Sequence, residues 1–483
     1  MRNTNEKTIN KKTIKPNYTM MILITTFLLI GLGVYFLNTA LIGLFFGSVL
    51  SLVFCLKSGF TMKESLKMIF LGIQNAKIIV MIMSLIGVLS ALWMASGTMA
   101  TLMDYGFSHL LNFNLVLSIF VITGVFSLIL GTSIGTLSVL GIPLMEIGTA
   151  LGIPPGIIGG ALVSGIYIGD RISPISSSLN LNASMTGTLV IDNIKTGFKT
   201  IGPVILFSAI LYGVIGRGYV AGNAHIEKIS VIKDLLSTHF HLSLISLVPV
   251  LLLTLLAVMK VKIVYGMMIS ILSTVLLILA GGNTGFTELF SIMVYGFHPE
   301  NPALNEVISG GGFLSMINVI LVIVFSTGFS GILEHSGGIK PLIERFSNRV
   351  KRPGQLVGKT SLLAFSINLV TCNQSLSLII PGRFLPGTFE EKGLTRLNLS
   401  RTLGDTGVVT VPLIPWNVNA IAIVSIIGVS TFSYAPYAFL CLLLPFYNIL
   451  HEALGQKNKP LKGRGFTSKV FKPLQDLLVH QKS

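Results

Sequence analysis

Apolar runs of about 20 residues recur along this chain, and that is the length an α-helix needs to cross the hydrocarbon core of a bilayer. They lie at about 18–37, 38–56, 78–97, 111–131, 198–218, 241–259, 260–281, 314–334, 358–380 and 432–450. The composition agrees, because 52% hydrophobic and 11% charged residues, with a mean hydropathy of +0.81, leave too little polar surface to cover a soluble globule. The sequence therefore predicts an all-α polytopic membrane protein.

Gly-interrupted stretches between these runs, at about 132–168 and 407–430, are expected to add further helices. The total becomes roughly 10–13 transmembrane helices. The first run is too long for a cleavable signal, and no small-residue cleavage site closes it, so we expect it to remain as a span.

The net charge of +16 comes mainly from bases in the tails and short loops, which favours a topological role. Lys and Arg residues precede the first run, follow the second, cluster between Arg345 and Lys359, and fill the C-terminal tail. The positive-inside rule then predicts a multi-pass protein of the cell membrane with both termini in the cytoplasm. No stretch interleaves aromatic residues with bases on a polar face, so we expect no nucleic-acid partner.

We divide the chain into a basic cytoplasmic tail at 1–17, two transmembrane halves at 18–225 and 226–455, and a second basic cytoplasmic tail at 456–483. This division places one half of a duplicated core on each side of residue 225. A homodimer is compatible with it.

Cysteine and histidine spacing indicates no metal centre. Cys55, Cys372 and Cys441 lie within or beside apolar runs without paired spacing, so neither a disulfide framework nor a thiolate site is expected. His239 and His241 form an H-x-H at the start of a span, where an interfacial pair is the better interpretation. No cofactor is expected.

A Gly-Asp pair occurs twice inside apolar sequence, as Gly169-Asp170 and as Gly404-Asp405, about half the chain apart. A carboxylate at membrane depth costs roughly 2.5–3.5 kcal/mol on insertion scales, so function is the default interpretation of one that persists there. Transporters built from two repeats place their sites where discontinuous helices meet near the midplane, and Gly/Pro-interrupted apolar segments point to them. We therefore predict two repeats with discontinuous helices at the midplane.

Small and polar residues surround both pairs, and non-helical backbone at membrane depth survives only where protein or an aqueous cavity encloses it. Their hydroxyls, amides and carbonyls are oxygen ligands for a hard cation or a polar solute. The candidate ion- or substrate-binding residues are Asp170, Asp405, Thr132, Ser133, Ser176, Ser177, Asn180, Thr371, Asn373, Gln374, Thr406 and Asn417, with Asp405 and Asn180 as ligands of a Na⁺ site.

Helix packing is the plainer alternative, because small polar residues are common at transmembrane helix interfaces. It explains Ser176, Ser178 or Thr410 singly as well as a binding role does. It explains poorly why acids and asparagines gather in the same two regions. Glu146, Asp192 and Glu334 lie near predicted span ends, where interfacial solvation is the better interpretation.

The same segments resemble the NhaC-type Na⁺/H⁺ antiporter family. The stretch from Gly169 to Ser176 is similar to that family's G-D-[KR]-[MI]-S-P-[LI]-S, and the stretch from Asn398 to Gly407 is similar to its N-L-S-R-T-L-E-D-[ST]-G. Pro412-Leu413-Ile414-Pro415-Trp416-Asn417 and Gly131-Thr132-Ser133-Ile134-Gly135-Thr136 add to the likeness. The resemblance implies a secondary active transporter that exchanges Na⁺ for H⁺; the family also includes malate/lactate-type exchangers.

Two positions depart from the family pattern. Ser177 stands where the family has the acid of S-P-L-S-D-T-T-N, and Asn373 stands where it has the acid of T-A-D-Q. A carboxylate supplies both a charge for Na⁺ and a titratable proton, whereas Ser and Asn supply neither. Asp170 and Asp405 remain as charge carriers. We assign Asp405 as the coupling carboxylate and leave open that Arg171 holds Asp170 as a structural ion pair.

Three functions follow for testing. The first is a cation/proton antiporter, and the second is an ion-coupled carrier or exchanger of a small organic solute such as a carboxylate or an amino acid, since the replaced acids leave a less anionic pocket. The third, a membrane-embedded enzyme, lacks support, because the sequence contains no H-E-x-x-H, no G-x-S-x-G in a suitable setting and no paired His and carboxylate within the spans. Nucleotide-driven pumping is not expected either, because no G-x-x-x-x-G-K-[ST] loop is present. We expect no enzymatic activity.

Overall fold

A computed structural model of the chain describes residues 14, 16–37, 41–110, 113–219, 223–259, 261–281, 284–337 and 353–455. Most of residues 1–17, the tail from 456 and the basic cluster from Arg345 to Arg352 lie outside this range. Within it the secondary structure is helical, without a β-strand and with one isolated bridge between Phe297 and Gly310. The prediction of an all-α polytopic membrane protein is confirmed.

The helices before residue 220 are α1 (Pro16–Leu37), α2 (Leu41–Lys57), α3 (Met62–Asn75), α4 (Lys77–Ala95), α5 (Thr98–Leu110), α6 (Leu115–Leu130), α7 (Ser133–Ala150), α8 (Pro155–Ile172), α9 (Ser177–Thr186) and α10 (Val190–Arg217).

The helices after residue 220 are α11 (Asn223–His239), α12 (Val248–Val258), α13 (Ile263–Ala280), α14 (Phe286–Tyr295), α15 (Pro302–Val307), α16 (Ile317–His335), α17 (Pro353–Thr371), α18 (Gln374–Phe384), α19 (Pro386–Glu391), α20 (Arg396–Leu403), α21 (Val418–Ile427), α22 (Thr431–Tyr434) and α23 (Phe439–Gly455). A π-helical turn over Gly404–Val408 continues α20, and a 3₁₀ turn over Val411–Leu413 follows it.

Of the described helices, 5 are long and apolar enough to span a bilayer, or up to 8 if each strongly bent pair counts as one span. Shorter apolar helices include α2, α6 and α14. Large apolar side chains such as Leu206, Leu251 and Leu272 are more than half exposed on the outer surface, as expected where lipid is the solvent. The total of 10–13 spans stays a prediction.

Four helix breaks recur in the same order in the two halves. In the first half, Gly131 and Thr132 separate α6 from α7, and residues 173–176 separate α8 from α9. In the second half, Cys372 and Asn373 separate α17 from α18, and residues 414–417 separate the end of the α20 segment from α21. Discontinuous helices are therefore present, and their parallel order supports two repeats.

The local sequence explains each break. Gly131 ends α6 in the left-handed region (φ 66°), where a Cβ would strike Ile175. Cys372 also has a positive φ (53°), the only non-glycine residue of the described ranges to do so. Such a conformation costs of order 1–3 kcal/mol and concentrates at functional sites. The apolar run 358–380, expected to be one span, is broken here instead.

Polar side chains begin the helix after each break. Thr132, Ser176, Asn373 and Asn417 are the N-caps of α7, α9, α18 and α21, and each accepts a hydrogen bond from a backbone N–H in the first turn of its helix. Side-chain oxygens satisfy N–H groups that a helix start leaves without partners. Four of the candidate site residues therefore have a capping role in the fold.

The broken helices pack together and bring the breaks into one region. α8 lies along α6 and α7, α9 packs on α18, and α7 packs on α21, so the two halves interlock. α10 and α23 close the outside, with α10 against α20 and α23 against α17. The site is built where α7, α8, α9, α18, α20 and α21 meet.

Candidate functional site

Asp170 lies in the last turn of α8 with its carboxylate against the start of α7. The Ser133 hydroxyl donates to Oδ2 at 2.6 Å, and the Ser176 hydroxyl lies 3.4 Å from Oδ1 and 2.9 Å from the Asp170 carbonyl. The side chain is 5% exposed. Because a helix N-terminus carries partial positive charge, the starts of α7 and α9 stabilise a carboxylate at this position.

The hydroxyls around Asp170 also hold the backbone of the break. Ser176 accepts from the Leu179 N–H at 3.2 Å as the cap of α9, and Thr132 accepts from the Gly135 N–H at 3.4 Å as the cap of α7. Asp170, Ser133 and Ser176 are thus brought together by two half-helices, with Thr132 one residue from the cluster.

Thr371, Asn373 and Gln374 occupy the corresponding break in the second half. The Thr371 hydroxyl donates to the Ile367 carbonyl at 2.8 Å, and Asn373 Oδ1 accepts from the Ser375 N–H at 2.9 Å. Asn373 therefore serves as a cap at the position where the sequence comparison places a family acid.

Gln374 joins three half-helices from both halves of the chain. Its Nε2 donates to the Ser178 hydroxyl at 3.1 Å, and its Oε1 accepts from Asn419 Nδ2 at 2.7 Å. Asn417, the cap of α21, donates to the Asn368 carbonyl at 3.2 Å. The result is a neutral polar network across the starts of α9, α18 and α21.

Tyr167 stands one turn before Asp170 on α8. Its side chain is fully buried, and its hydroxyl lies near the Asn419 amide without making a hydrogen bond of good geometry to a described residue. A buried hydroxyl without a partner costs free energy unless another group satisfies it. Tyr167 was not singled out from the sequence, since an isolated tyrosine in an apolar helix carries no motif. Asn419 lies in the polar stretch of the second region but was not chosen as a site residue.

Asp405 has different surroundings from Asp170. Arg171 Nε donates to Oδ1 at 2.6 Å, the Thr200 hydroxyl donates to Oδ2 at 2.7 Å, and the Asp405 side chain is fully buried. The interpretation left open from the sequence, that Arg171 holds Asp170 as an ion pair, is therefore wrong, because Arg171 pairs with Asp405. Neighbouring side chains on a helix project about 100° apart, so Arg171 faces the π-helical turn and Asp170 faces α7.

Two glycines make room for the Arg171 guanidinium. A Cβ on Gly404 would lie 2.7 Å from Arg171 Cζ, and a Cβ on Gly197 would lie 2.9 Å from Nη1. Arg171 is 1% exposed, and its Nη2 has no hydrogen-bond partner in the described part of the chain. Glycine is thus required on both α10 and the π-helical turn.

The remaining candidates lie apart from these clusters. Ser177 and Asn180 are exposed, and Asn180 donates to the carbonyls of Pro174 at 3.0 Å and Ser176 at 2.7 Å. Thr406 is 2% exposed, with a hydroxyl that finds no partner within the described ranges. Among the described residues no hydrogen bond joins Asp405 to Asn180, so their shared Na⁺ site stays a prediction. The same residues contain no group of three or more His, Cys, Asp or Glu side chains placed to hold a metal ion.

A second buried ion pair was not anticipated. Arg401 on α20 pairs with Glu452 on α23 and donates from Nε to Asn448 Oδ1 at 3.1 Å. Arg401 lies inside the N-L-S-R segment quoted above, one helical turn before Asp405. The position of Arg401 one turn before Asp405 was the available sequence signal for a buried charge. Its partner could not be identified, because Glu452 on α23 lies far along the chain.

Known proteins support a transport role for this arrangement. The sequence profile of the Na⁺/H⁺ antiporter family matches residues 165–455, which contain both Gly-Asp pairs. A profile described as a C4-dicarboxylate anaerobic carrier matches residues 1–215.

Individual relatives cover most of the chain. The Na(+)/H(+) antiporter NhaC of Alkalihalophilus pseudofirmus is 31% identical over 379 residues, 78% of this chain and 82% of that protein. The Malate-2H(+)/Na(+)-lactate antiporter of Bacillus subtilis is 29% identical over 403 residues, 83% of this chain and 86% of that protein. The arginine/ornithine antiporter ArcD of Halobacterium salinarum is 29% identical over 407 residues, 83% of each chain.

These relatives are named antiporters, which indicates transport rather than catalysis. The family profile covers more than half of the chain, and the match at 31% identity extends over more than two thirds of it. Together with the apolar helices, these matches show that the chain belongs to the Na⁺/H⁺ antiporter family and is a multi-pass membrane protein, a secondary transporter of the NhaC type.

Proposed function

We propose that this chain exchanges Na⁺ for H⁺ across the cell membrane and that Asp170 is the carboxylate that binds both in turn. The observation that carries the assignment is the difference between the two aspartates. Asp405 is held by the Arg171 cation, whereas the Asp170 carboxylate accepts hydrogen bonds from the hydroxyls of Ser133 and Ser176. The role that the sequence gave to Asp405 is therefore better suited to Asp170.

Exchange can follow from one carboxylate that binds either Na⁺ or a proton. Na⁺ takes oxygen ligands, and the Asp170 carboxylate, the Ser133 and Ser176 hydroxyls and the freed carbonyls of the break are oxygen donors in one place. A proton on the same carboxylate removes the charge that attracts Na⁺, so the two ions compete. Competition for one site is sufficient to couple their movements in opposite directions.

The helix starts set how tightly the carboxylate holds a cation. Partial positive charge at the N-termini of α7 and α9 stabilises Asp170 when it is ionised and without a cation. The same charge weakens its attraction for Na⁺. A transport site must bind well enough to accept its ion and weakly enough to release it. Thr132, Asn373 and Asn417 are then positioning residues that fix the starts of the half-helices.

The Arg171–Asp405 pair has a supporting role in this proposal. It joins the end of α8 to the π-helical turn and so connects the two halves next to the site. A buried pair of this kind contributes structural definition more than net stability. Asp405 then fixes the position of Arg171.

The test is transport by purified protein in proteoliposomes. A Na⁺ gradient should drive proton movement in the opposite direction, read with a pH-sensitive dye, and Li⁺ should be compared with Na⁺. Malate, lactate and arginine should be added in separate runs. Na⁺-driven proton movement without any solute supports cation exchange, and its absence in correctly folded protein overturns the proposal.

A second candidate, exchange of a small organic carboxylate or amino acid, has its own observation. The Gln374 amide, the Ser178 hydroxyl and the Asn419 amide form a neutral network at three helix starts, beside the buried Tyr167 hydroxyl. Donors at helix N-termini suit a carboxylate group of a solute. Two of the relatives are named as antiporters of malate and lactate and of arginine and ornithine. Proton movement that requires a solute would favour this candidate.

The orientation proposed from charge places both termini and the loop around Arg349 in the cytoplasm. A cysteine introduced at Ser347 should resist a membrane-impermeant reagent added to intact cells and react after the cells are opened. Fast modification in intact cells contradicts this orientation. The division at residue 225 and a homodimer stay predictions.

A further inference from the structure

An apolar groove opens on the outer surface of the bundle, and none of its lining residues belongs to the exchange site. α2 and α3 both pack along α16 but contact one another little, which leaves a cavity of about 190 Å³ between them. Phe45 and Val49 are 43% and 42% exposed at its edge, so the groove faces the surrounding lipid. Its apolar walls come from all three helices: Phe45, Val49 and Leu52 of α2, Ile69 and Ile73 of α3, and Gly328 of α16.

Contacts with α16 hold the two walls in place. On the α2 side, the Phe45 ring meets the Phe325 ring edge-on with centroids 5.3 Å apart, and the Ser48 hydroxyl donates to the Phe325 carbonyl at 3.2 Å. On the α3 side, a Cβ on Gly72 would strike the Thr327 carbonyl, so α3 lies directly against α16. Ser48, the polar residue of the lining, thus uses its hydroxyl within the protein.

A cavity with such walls suits hydrocarbon rather than water. An apolar cavity of about 150 Å³ stays dry and is large enough to bind benzene. The groove is therefore large enough for a segment of on the order of six carbons of an acyl chain. Lipid tails are as apolar as these side chains, and in a bilayer they are the hydrocarbon that reaches the surface of the bundle.

Basic residues gather at one end of the groove. Lys57 ends α2, a turn follows, and Lys63 and Lys67 lie near the start of α3; all three are exposed. Glu64, the acid of this hairpin, accepts from the Thr61 N–H at 2.7 Å in the capping box of α3. With three Lys and one Glu, the segment 57–67 has a net charge of +2. Exposed lysines next to a span attract anionic lipid headgroups.

The distance between the lysines and the groove matches one leaflet. Lys57 and Phe45 are 12 residues apart on α2. At 1.5 Å per residue they are separated by about 18 Å along the helix axis, comparable to half of the hydrocarbon core of about 30 Å. A phospholipid with its phosphate at Lys57 therefore reaches the groove with its acyl chain. The orientation proposed from charge places this end at the cytoplasmic leaflet, where anionic lipids give a negative surface potential.

We propose that the groove between α2, α3 and α16 binds one acyl chain of an anionic phospholipid, whose phosphate group lies at Lys57, Lys63 and Lys67. The inference is independent of the exchange chemistry at Asp170. Each lysine near the headgroup strengthens the binding of anionic over zwitterionic lipid roughly fivefold. The charged end and the cavity together distinguish this lipid from the others that surround the bundle.

The experiment reads lipid contact in the groove from Trp fluorescence, which bromine quenches at close range. Val49→Trp places the fluorophore in the lining, and wild type, with its two native Trp residues, gives the signal to subtract. The protein is reconstituted in phosphatidylcholine vesicles that contain about 10% of a brominated lipid, either phosphatidylglycerol or phosphatidylcholine. Brominated phosphatidylglycerol should quench Val49→Trp at least about threefold more than brominated phosphatidylcholine does.

Val121→Trp on α6 is the matched control reporter. Val121 is 47% exposed, close to the 42% of Val49, and α6 contains no charged residue. The two brominated lipids should quench Val121→Trp equally. Phe45→Trp provides a second reporter in the groove if Val49→Trp folds poorly.

Two further variants of the Val49→Trp protein separate the headgroup from the chain. Replacing Lys57, Lys63 and Lys67 by Gln should abolish the preference for phosphatidylglycerol, because the attraction for its charge is lost. Val324→Phe adds a ring to the lining from α16 and should lower the preference by filling the cavity.

Equal quenching of the groove reporters by the two lipids overturns the inference, and so does the same preference in Val121→Trp. A preference that persists without the three lysines or in the filled groove also overturns it. Absence of quenching by either lipid has the same consequence, because protein rather than lipid then covers the groove.

Discussion

Arg171 at the end of α8 and Asp405 in the π-helical turn form an ion pair of 2.6 Å, with both side chains buried, between the two halves of the chain. This pair distinguishes Asp405 from Asp170, although the two aspartates occur in similar Gly-Asp motifs. Asp405 is occupied by a cation of the protein itself, and Asp170 is left facing hydroxyl groups at two helix starts.

Breaking this pair from one side should be costly. Arg171→Gln or Asp405→Asn each leaves a buried charge without its partner, which typically costs about 3–5 kcal/mol. The double variant removes both charges, so its loss of stability should be smaller than the sum of the losses of the two single variants. Thermal unfolding in detergent measures the stability of the three variants relative to wild type.

The control for the pair is Arg396–Glu390, which also joins an arginine Nε to a carboxylate oxygen, at 2.7 Å, but is about half exposed. Arg396→Gln should change the free energy of unfolding by about 1 kcal/mol or less. Additive losses in the Arg171/Asp405 double variant would show that the two charges do not stabilise one another.

Gly404→Ala should destabilise the protein through the same pair. The new Cβ would lie 2.7 Å from both Cζ and Nε of Arg171, which has little space to move between Gly404 and Gly197. Overpacking of this kind costs about 1–3 kcal/mol. Gly202→Ala on α10 is the matched control, since no other described atom lies within 4 Å of its added Cβ. Equal stability of the two variants would contradict the packing described for Arg171.

Asn373→Asp distinguishes the two proposed substrates. Aspartate caps a helix about as well as asparagine, so the start of α18 should be retained while a charge and a titratable proton are added. For cation exchange, Na⁺-driven proton movement should be maintained or increased. For an organic carboxylate, uptake should fall, because the new charge repels the solute near Gln374.

Asn373→Ser is the control for this variant, because it keeps a cap without adding charge. It should leave both activities within about twofold of wild type, an effect below about 0.5 kcal/mol. Loss of activity in Asn373→Ser as well would assign the effect to the helix start rather than to charge.

Part of the site follows from sequence because capping is local. Thr132, Ser176, Asn373 and Asn417 are polar residues inside apolar runs, and a polar residue that interrupts an apolar helix is well suited to begin the next one. The apolar runs themselves give the helical class, since their length matches the bilayer.

The rest of the site depends on contacts between distant segments. Arg171 and Asp405 are separated by 234 positions, and Arg401 and Glu452 by 51, so no periodicity relates either pair. The adjacent residues Asp170 and Arg171 suggest an ion pair from sequence alone, yet helical geometry turns their side chains to different neighbours. The break at Cys372 was obscured because no Gly or Pro marks it within its run.

The most direct test of the account compares Asp170→Asn with wild type in the Na⁺-driven proton assay, with Asp192→Asn as a control on the half-buried first turn of α10. Asparagine keeps the shape and can still bond to Ser133 and Ser176, so folding should be retained, but it carries neither the charge nor the proton. We expect Asp170→Asn to give folded protein in normal amount and to lose at least about 100-fold of the exchange rate, equivalent to about 2.7 kcal/mol, while Asp192→Asn keeps near-normal exchange. Exchange at the wild-type rate and with the wild-type pH dependence in Asp170→Asn would contradict it.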